Sequence, residues 1–91
     1  MWRVSFTKVE KQLRKLPDYI KIKVLDWAKS VEEFGMPLVR RSSGLHDEPL
    51  RGARRGQRSI RLNRSWRLIY EEKENGEITL IEVREINHHD Y

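Results

Sequence analysis

The spacing of the apolar residues differs between the first and second halves of this 91-residue chain, and that difference limits the folds it can adopt. Between residues 18 and 34 the apolar residues recur every three or four positions, as in an amphipathic helix with one buried stripe. After residue 56 they alternate with polar residues, as in strands that bury one face. A chain with this order can bury both patterns by packing helices against one side of a sheet.

The first 36 residues predict a strand followed by two helices. The strand is expected over residues 2–6 and the first helix over residues 9–16, and Pro17 separates that helix from the next one. Gly35 is expected to end the second helix, because glycine readily adopts the backbone conformation found at helix ends. The stripe expected to be buried on the second helix consists of Ile20, Val24, Trp27, Ala28, Val31 and Phe34.

The second half of the chain predicts strands. Apolar and polar residues alternate over residues 59–63 and 66–70, and Asn75-Gly76 is a strong hairpin signal before a third apolar run at 78–84. Residues 37–56 show no convincing period and are expected to form loop or short irregular strand. The expected fold is α+β, in one domain over residues 1–91. It consists of an antiparallel sheet of about four strands with the two N-terminal helices packed on one face.

The predicted turn at residues 63–65 brings two arginines together. A three-residue loop keeps the apolar residues of both strands on one face, and it sets Arg61 directly opposite Arg67. Like charges at such cross-strand positions are destabilising, so the pair is expected to form a site for an anion. The alternative is that Glu71 or Glu82 neutralises the two arginines within the protein.

Arginine is concentrated in one segment of the chain. Residues 40–67 hold nine arginines and no lysine, and Asp47 and Glu48 are the only acids there. The segment carries a net charge of +7, whereas the whole chain carries +5. Because the planar guanidinium grips phosphate with two parallel hydrogen bonds, this bias favours RNA or DNA as a partner. The alternative is a solvated basic face without a ligand.

The remaining composition narrows the class of protein. The chain has no cysteine, which excludes disulfides and thiolate zinc sites, and its three histidines lack the spacing of a ligand pair. We therefore expect neither a metal nor a cofactor. No apolar run approaches the roughly 20 residues that span a bilayer. The N-terminus has no signal-peptide pattern, so a cytoplasmic protein without a membrane partner is expected.

Four short segments, taken in order, resemble the RelE superfamily of toxins, in particular its YoeB and HigB branches. They are D-E-P-L-R at 47–51, G-Q-R-S-I-R-L at 56–62, W-R-L-I-Y at 66–70 and H-D-Y at 89–91. The resemblance implies the order βααβββ and the toxin of a type II toxin–antitoxin system. Such toxins are ribosome-dependent endoribonucleases that cut mRNA in the 16S rRNA decoding site without a metal or cofactor. A cognate antitoxin protein neutralises them.

The resemblance also implies roles for individual residues. Metal-free RNA cleavage needs a base for the 2′-hydroxyl, an acid for the leaving 5′-oxygen and cations for the phosphorane. Glu48 matches the base of the YoeB-like pattern, and His46, which resembles a histidine of HigB-like proteins, is the alternative base. Arg61 and Arg67 would hold the scissile phosphate.

The C-terminal residues complete the implied site. His89 is the candidate acid, with His88 as the alternative, and Tyr91 would stack on a base or position the phosphate. Two other functions stay open: a non-catalytic RNA-binding module of the same fold, and a structural partner of an acidic protein. The arginines expected to contact the RNA backbone are Arg51, Arg54, Arg55, Arg58 and Arg64.

Overall fold

A computed structural model describes residues 1–88 of the chain, so His89, Asp90 and Tyr91 lie outside the described residues. Within that range, no helix combines the length and the apolar composition needed to cross a bilayer. The helices are α1 (Glu10–Lys15), α2 (Asp18–Phe34) and α3 (Met36–Val39). The strands are β1 (Trp2–Ser5), β2 (Glu48–Pro49), β3 (Gln57–Arg61), β4 (Trp66–Asn75) and β5 (Ile78–His88). Short 3-10 turns lie at Thr7–Val9, Ser43–Leu45 and Gly52–Arg54.

The strands form one five-stranded sheet in the order β1-β5-β4-β3-β2. The predicted α+β class is confirmed, with the helices packed on the sheet and β5 inside it. The sheet has five strands rather than about four, and its edge strand β1 pairs with β5 in parallel. All other neighbouring strands are antiparallel. Two parallel strands need a long crossover connection. Here the connection between β1 and β5 contains the helices and the other three strands.

The stripe predicted for α2 is buried in all but one position. Ile20, Val24 and Val31 are completely buried, and Trp27 and Ala28 are nearly so. The prediction was wrong for Phe34, whose side chain is 59% exposed. Gly35 ends α2 and redirects the chain into α3, and Met36 and Val39 of α3 are buried in the core instead.

The alternation of buried and exposed side chains along β5 is shifted by one residue within the strand. Tyr70 of β4 is paired with Val83, while the preceding Ile69 is paired with Glu85, so Arg84 is an extra residue that forms a β-bulge. Before the bulge the buried residues of β5 have odd numbers, and beyond it Ile86 is buried. The bulge therefore turns Asn87, the partner of Arg67, toward the face opposite the helices.

The junction between α2 and α3 depends on a glycine. Gly35 has a backbone φ of 87°, in the region that side chains other than glycine rarely adopt. A Cβ atom added there would lie 2.9 Å from Nε1 of Trp2, which packs against the core from β1. The close approach of β1 to this turn therefore requires the absence of a side chain.

We predict that Gly35→Ala lowers the free energy of unfolding by ~1–3 kcal/mol, because alanine combines backbone strain with the Trp2 contact. Urea titration followed by circular dichroism measures this loss. Gly52→Ala is the matched control, since Gly52 has a φ of 66° with open space around its Cβ position. A loss at Gly35 no larger than the loss at Gly52 would show that the Trp2 contact does not matter.

Candidate active site

The β3–β4 hairpin has the predicted register. Arg61 lies directly opposite Arg67, and the N–H of Leu62 donates to the carbonyl oxygen of Trp66 at 2.9 Å. The turn is fixed by Asn63, whose side-chain oxygen accepts hydrogen bonds from the two N–H groups of residues 65 and 66, each at 2.8 Å. The alternation of apolar residues therefore sufficed to predict which arginines are neighbours.

No carboxylate neutralises this arginine pair within residues 1–88. Neither Arg61 nor Arg67 makes a salt bridge there, so the proposed neutralisation by Glu71 or Glu82 is wrong. Both glutamates pair instead with Arg84, Glu71 at 3.4 Å. Two adjacent guanidinium groups repel each other, and a bound phosphate or carboxylate would offset that repulsion.

A small pocket of about 60 Å³ joins the arginine pair to the two candidate bases. Glu48 reaches it because β2 pairs with β3 so that Glu48 lies opposite Ser59, two residues before Arg61 on the same face. Four residues nominated from the sequence thus share one site, together with Ser59, which the sequence did not single out. The residues that line the pocket are His46, Glu48, Ser59, Arg61 and Arg67.

His46 enters this pocket in an unusual backbone conformation. Its φ of 47° and ψ of 52° lie in the left-handed region, and it is the one non-glycine residue with positive φ in the described part of the chain. Histidine tolerates this region better than most residues, yet the conformation costs ~1–3 kcal/mol and persists only where neighbours enforce it. It follows the 3-10 turn at Ser43–Leu45 and directs the chain into Asp47.

Asp47 lies between the two candidate bases and is anchored inside the protein. Its side chain is 1% exposed, and its carboxylate accepts hydrogen bonds from Nε of Arg58 at 2.6 Å and from the hydroxyl of Tyr70 at 2.5 Å. Nε of Arg40 lies 3.9 Å away. Burial, followed by the hydrogen bond to Asp47, raises the pKa of Tyr70 well above its usual value. Tyr70 is fully buried.

Two of the arginines predicted to contact RNA are engaged within the protein. Arg58 pairs with Asp47, and Arg54 lies 2.7 Å from a carboxylate oxygen of Glu85. Hydrogen bonds from Arg54 and then Asn87 lower the pKa of Glu85. The sequence did not predict these intramolecular roles. In the part of the chain that the structure describes, the predicted RNA contacts without a salt bridge are Arg51, Arg55 and Arg64.

The C-terminal candidates fall into two groups. His88 is paired with Trp66 across β4 and β5, and their rings contact each other in a tilted arrangement with centroids 4.9 Å apart. Because consecutive side chains of a strand point to opposite faces, His88 lies on the other side of the sheet from Arg67. The alternative of His88 as the acid is therefore not supported. His89 and Tyr91 lie outside the described residues.

The side chains of this pocket are suited to acid–base chemistry at a phosphate. Two arginines can bind the non-bridging oxygens and stabilise the charge that develops there. A carboxylate and an imidazole next to them can accept a proton from a nucleophilic hydroxyl. The exposed Glu48 and His46 are open to a large substrate such as an RNA strand.

Comparison with known proteins gives matches among solved structures only. No protein-family model matches the chain, and no curated protein matches it. A YoeB/ParE toxin from Agrobacterium tumefaciens superposes with a TM-score of 0.68 at 16% identity, over 98% of both chains. A chain of the YoeB-YefM complex from Staphylococcus aureus gives 0.66 at 21%, over 99% of this chain and 97% of the other.

A third match is a chain of the RelBE2 toxin–antitoxin complex from Mycobacterium tuberculosis. It gives a TM-score of 0.63 at 26% identity, over 97% of this chain and 95% of the other. All three similarities extend over nearly the whole chain, so they concern the complete arrangement of helices and strands rather than one motif. The protein therefore has the fold of the RelE-superfamily toxins.

Proposed function

We propose that this chain is the toxin of a type II toxin–antitoxin system, a cytoplasmic endoribonuclease that cuts mRNA on the ribosome. The observation that carries the proposal is the pocket in which two arginines without a salt bridge in residues 1–88 meet Glu48 and His46. The fold shared with YoeB and RelBE2 structures supports it. A purely binding module has no need of proton-transfer groups beside its phosphate contacts.

The proposed reaction is attack by the 2′-hydroxyl of the RNA on the adjacent phosphorus. Glu48 or His46 accepts the hydroxyl proton as the O2′–P bond forms. Arg61 and Arg67 stabilise the charge on the phosphorane oxygens. The P–O5′ bond then breaks, and His89 donates a proton to the leaving 5′-oxygen. Tyr91 stacks on a neighbouring base and fixes the RNA strand.

The proposed partners follow from charge and from the solved relatives. The exposed arginines Arg51, Arg55 and Arg64 are suited to the backbone of 16S rRNA around the decoding site, with the steep salt dependence of such contacts. Ribosomal docking would bring the mRNA to the pocket. The YoeB-YefM and RelBE2 structures are toxin–antitoxin complexes, which supports a cognate antitoxin as the neutralising partner.

Expression of this chain without an antitoxin is expected to arrest bacterial growth, and Arg67→Ala is expected to abolish the arrest. Removal of one charge-assisted contact to a developing oxyanion slows catalysis by about 10²–10³-fold. Growth curves after induction and primer extension on mRNA measure both effects. Arg14→Ala is the matched control, because it removes the same charge from the exposed surface of α1.

Arrest of growth by a folded Arg67→Ala variant at the wild-type level would show that Arg67 does not hold the phosphate. Circular dichroism and thermal unfolding establish that the variant is folded.

The cleaved mRNA is expected to carry a 2′,3′-cyclic phosphate, or the 3′-phosphate derived from it, at the upstream fragment. This end follows from 2′-hydroxyl attack, whereas attack by an activated water would give other ends. Treatment with a phosphatase that removes 3′-phosphates, before and after acid opening of the cyclic ester, distinguishes the products on a gel. Fragments with a 3′-hydroxyl end directly after cleavage would contradict the mechanism.

Removal of Asp90 and Tyr91 is expected to reduce mRNA cleavage strongly while ribosome binding persists. The lost tyrosine is the proposed stacking group beside His89, whereas the arginines that bind rRNA are retained. Cosedimentation with ribosomes and primer extension on the same protein separate binding from cleavage. Undiminished cleavage would mean that His46 and Glu48 act without the C-terminal residues.

A further inference from the structure

We infer that Asp47 is a positioning residue for the proposed reaction, because its buried carboxylate holds the His46–Glu48 segment beside the paired arginines. The inference rests on the proposed function for its catalytic meaning. Asp47 itself does not line the pocket, and its carboxylate has no access to a substrate. Its effect must therefore pass through the residues on either side of it.

The geometry at the edge of the sheet shows how Asp47 acts. Arg58 and Tyr70 are cross-strand partners on β3 and β4, so both side chains lie on the face that packs against the helices. The Asp47 carboxylate reaches these two groups at 2.6 and 2.5 Å. Since side chains of an extended segment alternate, the next residue, Glu48, emerges on the opposite face, where Ser59 and Arg61 lie.

The same anchor enforces the conformation of His46. A segment of two paired residues, Glu48 and Pro49, is too short to hold the preceding backbone by itself. The carboxylate of Asp47 and its carbonyl oxygen both accept hydrogen bonds from Arg58, at 2.6 and 3.4 Å. These bonds fix the chain immediately after His46, whose left-handed conformation needs such enforcement.

The arrangement uses both carboxylate oxygens of Asp47 as hydrogen-bond acceptors. Two donors, Nε of Arg58 and the hydroxyl of Tyr70, point at different oxygens of the carboxylate. An asparagine has the same shape but is neutral and keeps an acceptor oxygen at only one of these two positions, and its NH₂ group at the other position breaks or reverses the hydrogen bond there. Asp47→Asn therefore tests the hydrogen bonds with little change in volume.

We expect Asp47→Asn to slow single-turnover mRNA cleavage on saturating ribosomes by about a hundredfold, because displacement of a reacting group by about 1 Å can have an effect of this size. Ribosome affinity should stay at the wild-type value, because the exposed arginines are untouched. Tyr70→Phe, which removes only one hydroxyl, should cause a smaller loss in the same rate. If Asp47→Asn does not fold, the cleavage rate of Tyr70→Phe tests the inference instead. An unchanged rate in a folded Asp47→Asn or Tyr70→Phe variant would overturn the inference.

A double-mutant cycle separates positioning from direct RNA contact by Arg58. If Arg58 acts through Asp47, then Asp47→Asn combined with Arg58→Gln should be no slower than the slower single variant. If Arg58 instead contacts the RNA, the two losses should multiply and ribosome affinity should fall with Arg58→Gln. Multiplied losses would overturn the inference.

A structural measurement tests the anchor without relying on activity. A strong intraresidue nuclear Overhauser effect between the amide proton and Hα marks a positive φ, and we expect it for His46 in the wild type. It should weaken in Asp47→Asn and persist in Glu72→Gln. Glu72 contacts only the outer side of the cluster, through Arg40 at 3.2 Å.

Persistence of this signal in Asp47→Asn would overturn the inference. A wild type that cleaves no mRNA would instead refute the proposed function, and the signal would still decide whether Asp47 holds His46.

Discussion

The register of the β3–β4 hairpin is the constraint on which the remaining features depend. Residues 63–65 close a loop that leaves Leu62 and Trp66 as neighbours, and this places Arg61 opposite Arg67. A shift of one residue would turn the apolar side chains of one strand outward and separate the arginines. Burial of the apolar face therefore enforces a cross-strand pairing of like charges that the two arginines alone would avoid. The proximity of the two arginines is a consequence of core formation.

The arginines of residues 40–67 differ in their surroundings. Arg58 is tied to a buried carboxylate on the helix side of the sheet, whereas Arg61 and Arg67 have no such partner on the opposite face within residues 1–88. Like charges on opposite strands without such a partner lower the stability of the free protein, and a bound anion would offset that cost. Sites of function often violate the local rules of stability in this way. The arginine segment thus contains both arginines that pair within the protein and arginines without a salt bridge in residues 1–88, a difference that composition alone does not indicate.

Sequence reasoning succeeded where contacts follow from local periodicity. The hairpin register, the buried residues of α2 and the gathering of Glu48, His46, Arg61 and Arg67 could all be expected from spacing and family pattern. It failed where partners are distant in the chain: nothing local indicates that β1 pairs in parallel with β5, or that Asp47 meets Tyr70. Phe34 has the right spacing for burial but lies at the end of its helix, where α3 supplies the buried side chains. A lone aspartate within an arginine segment was the one available signal for the Asp47 cluster.

Because of the bulge at Arg84, the residues of β5 after the bulge face the core at even positions, whereas those before it do so at odd positions. Counting residues from the hairpin turn at 76 gives the wrong face for residues 85–88, because one residue is taken out of the alternation. A single insertion or deletion there would exchange the faces of Asn87 and His88 while leaving the core residues Ile81 and Val83 in place. Chains of this fold can therefore change which C-terminal side chain reaches the arginine face by altering length rather than composition. Alignments of such chains should place their gaps at this position before they compare the residues that follow it.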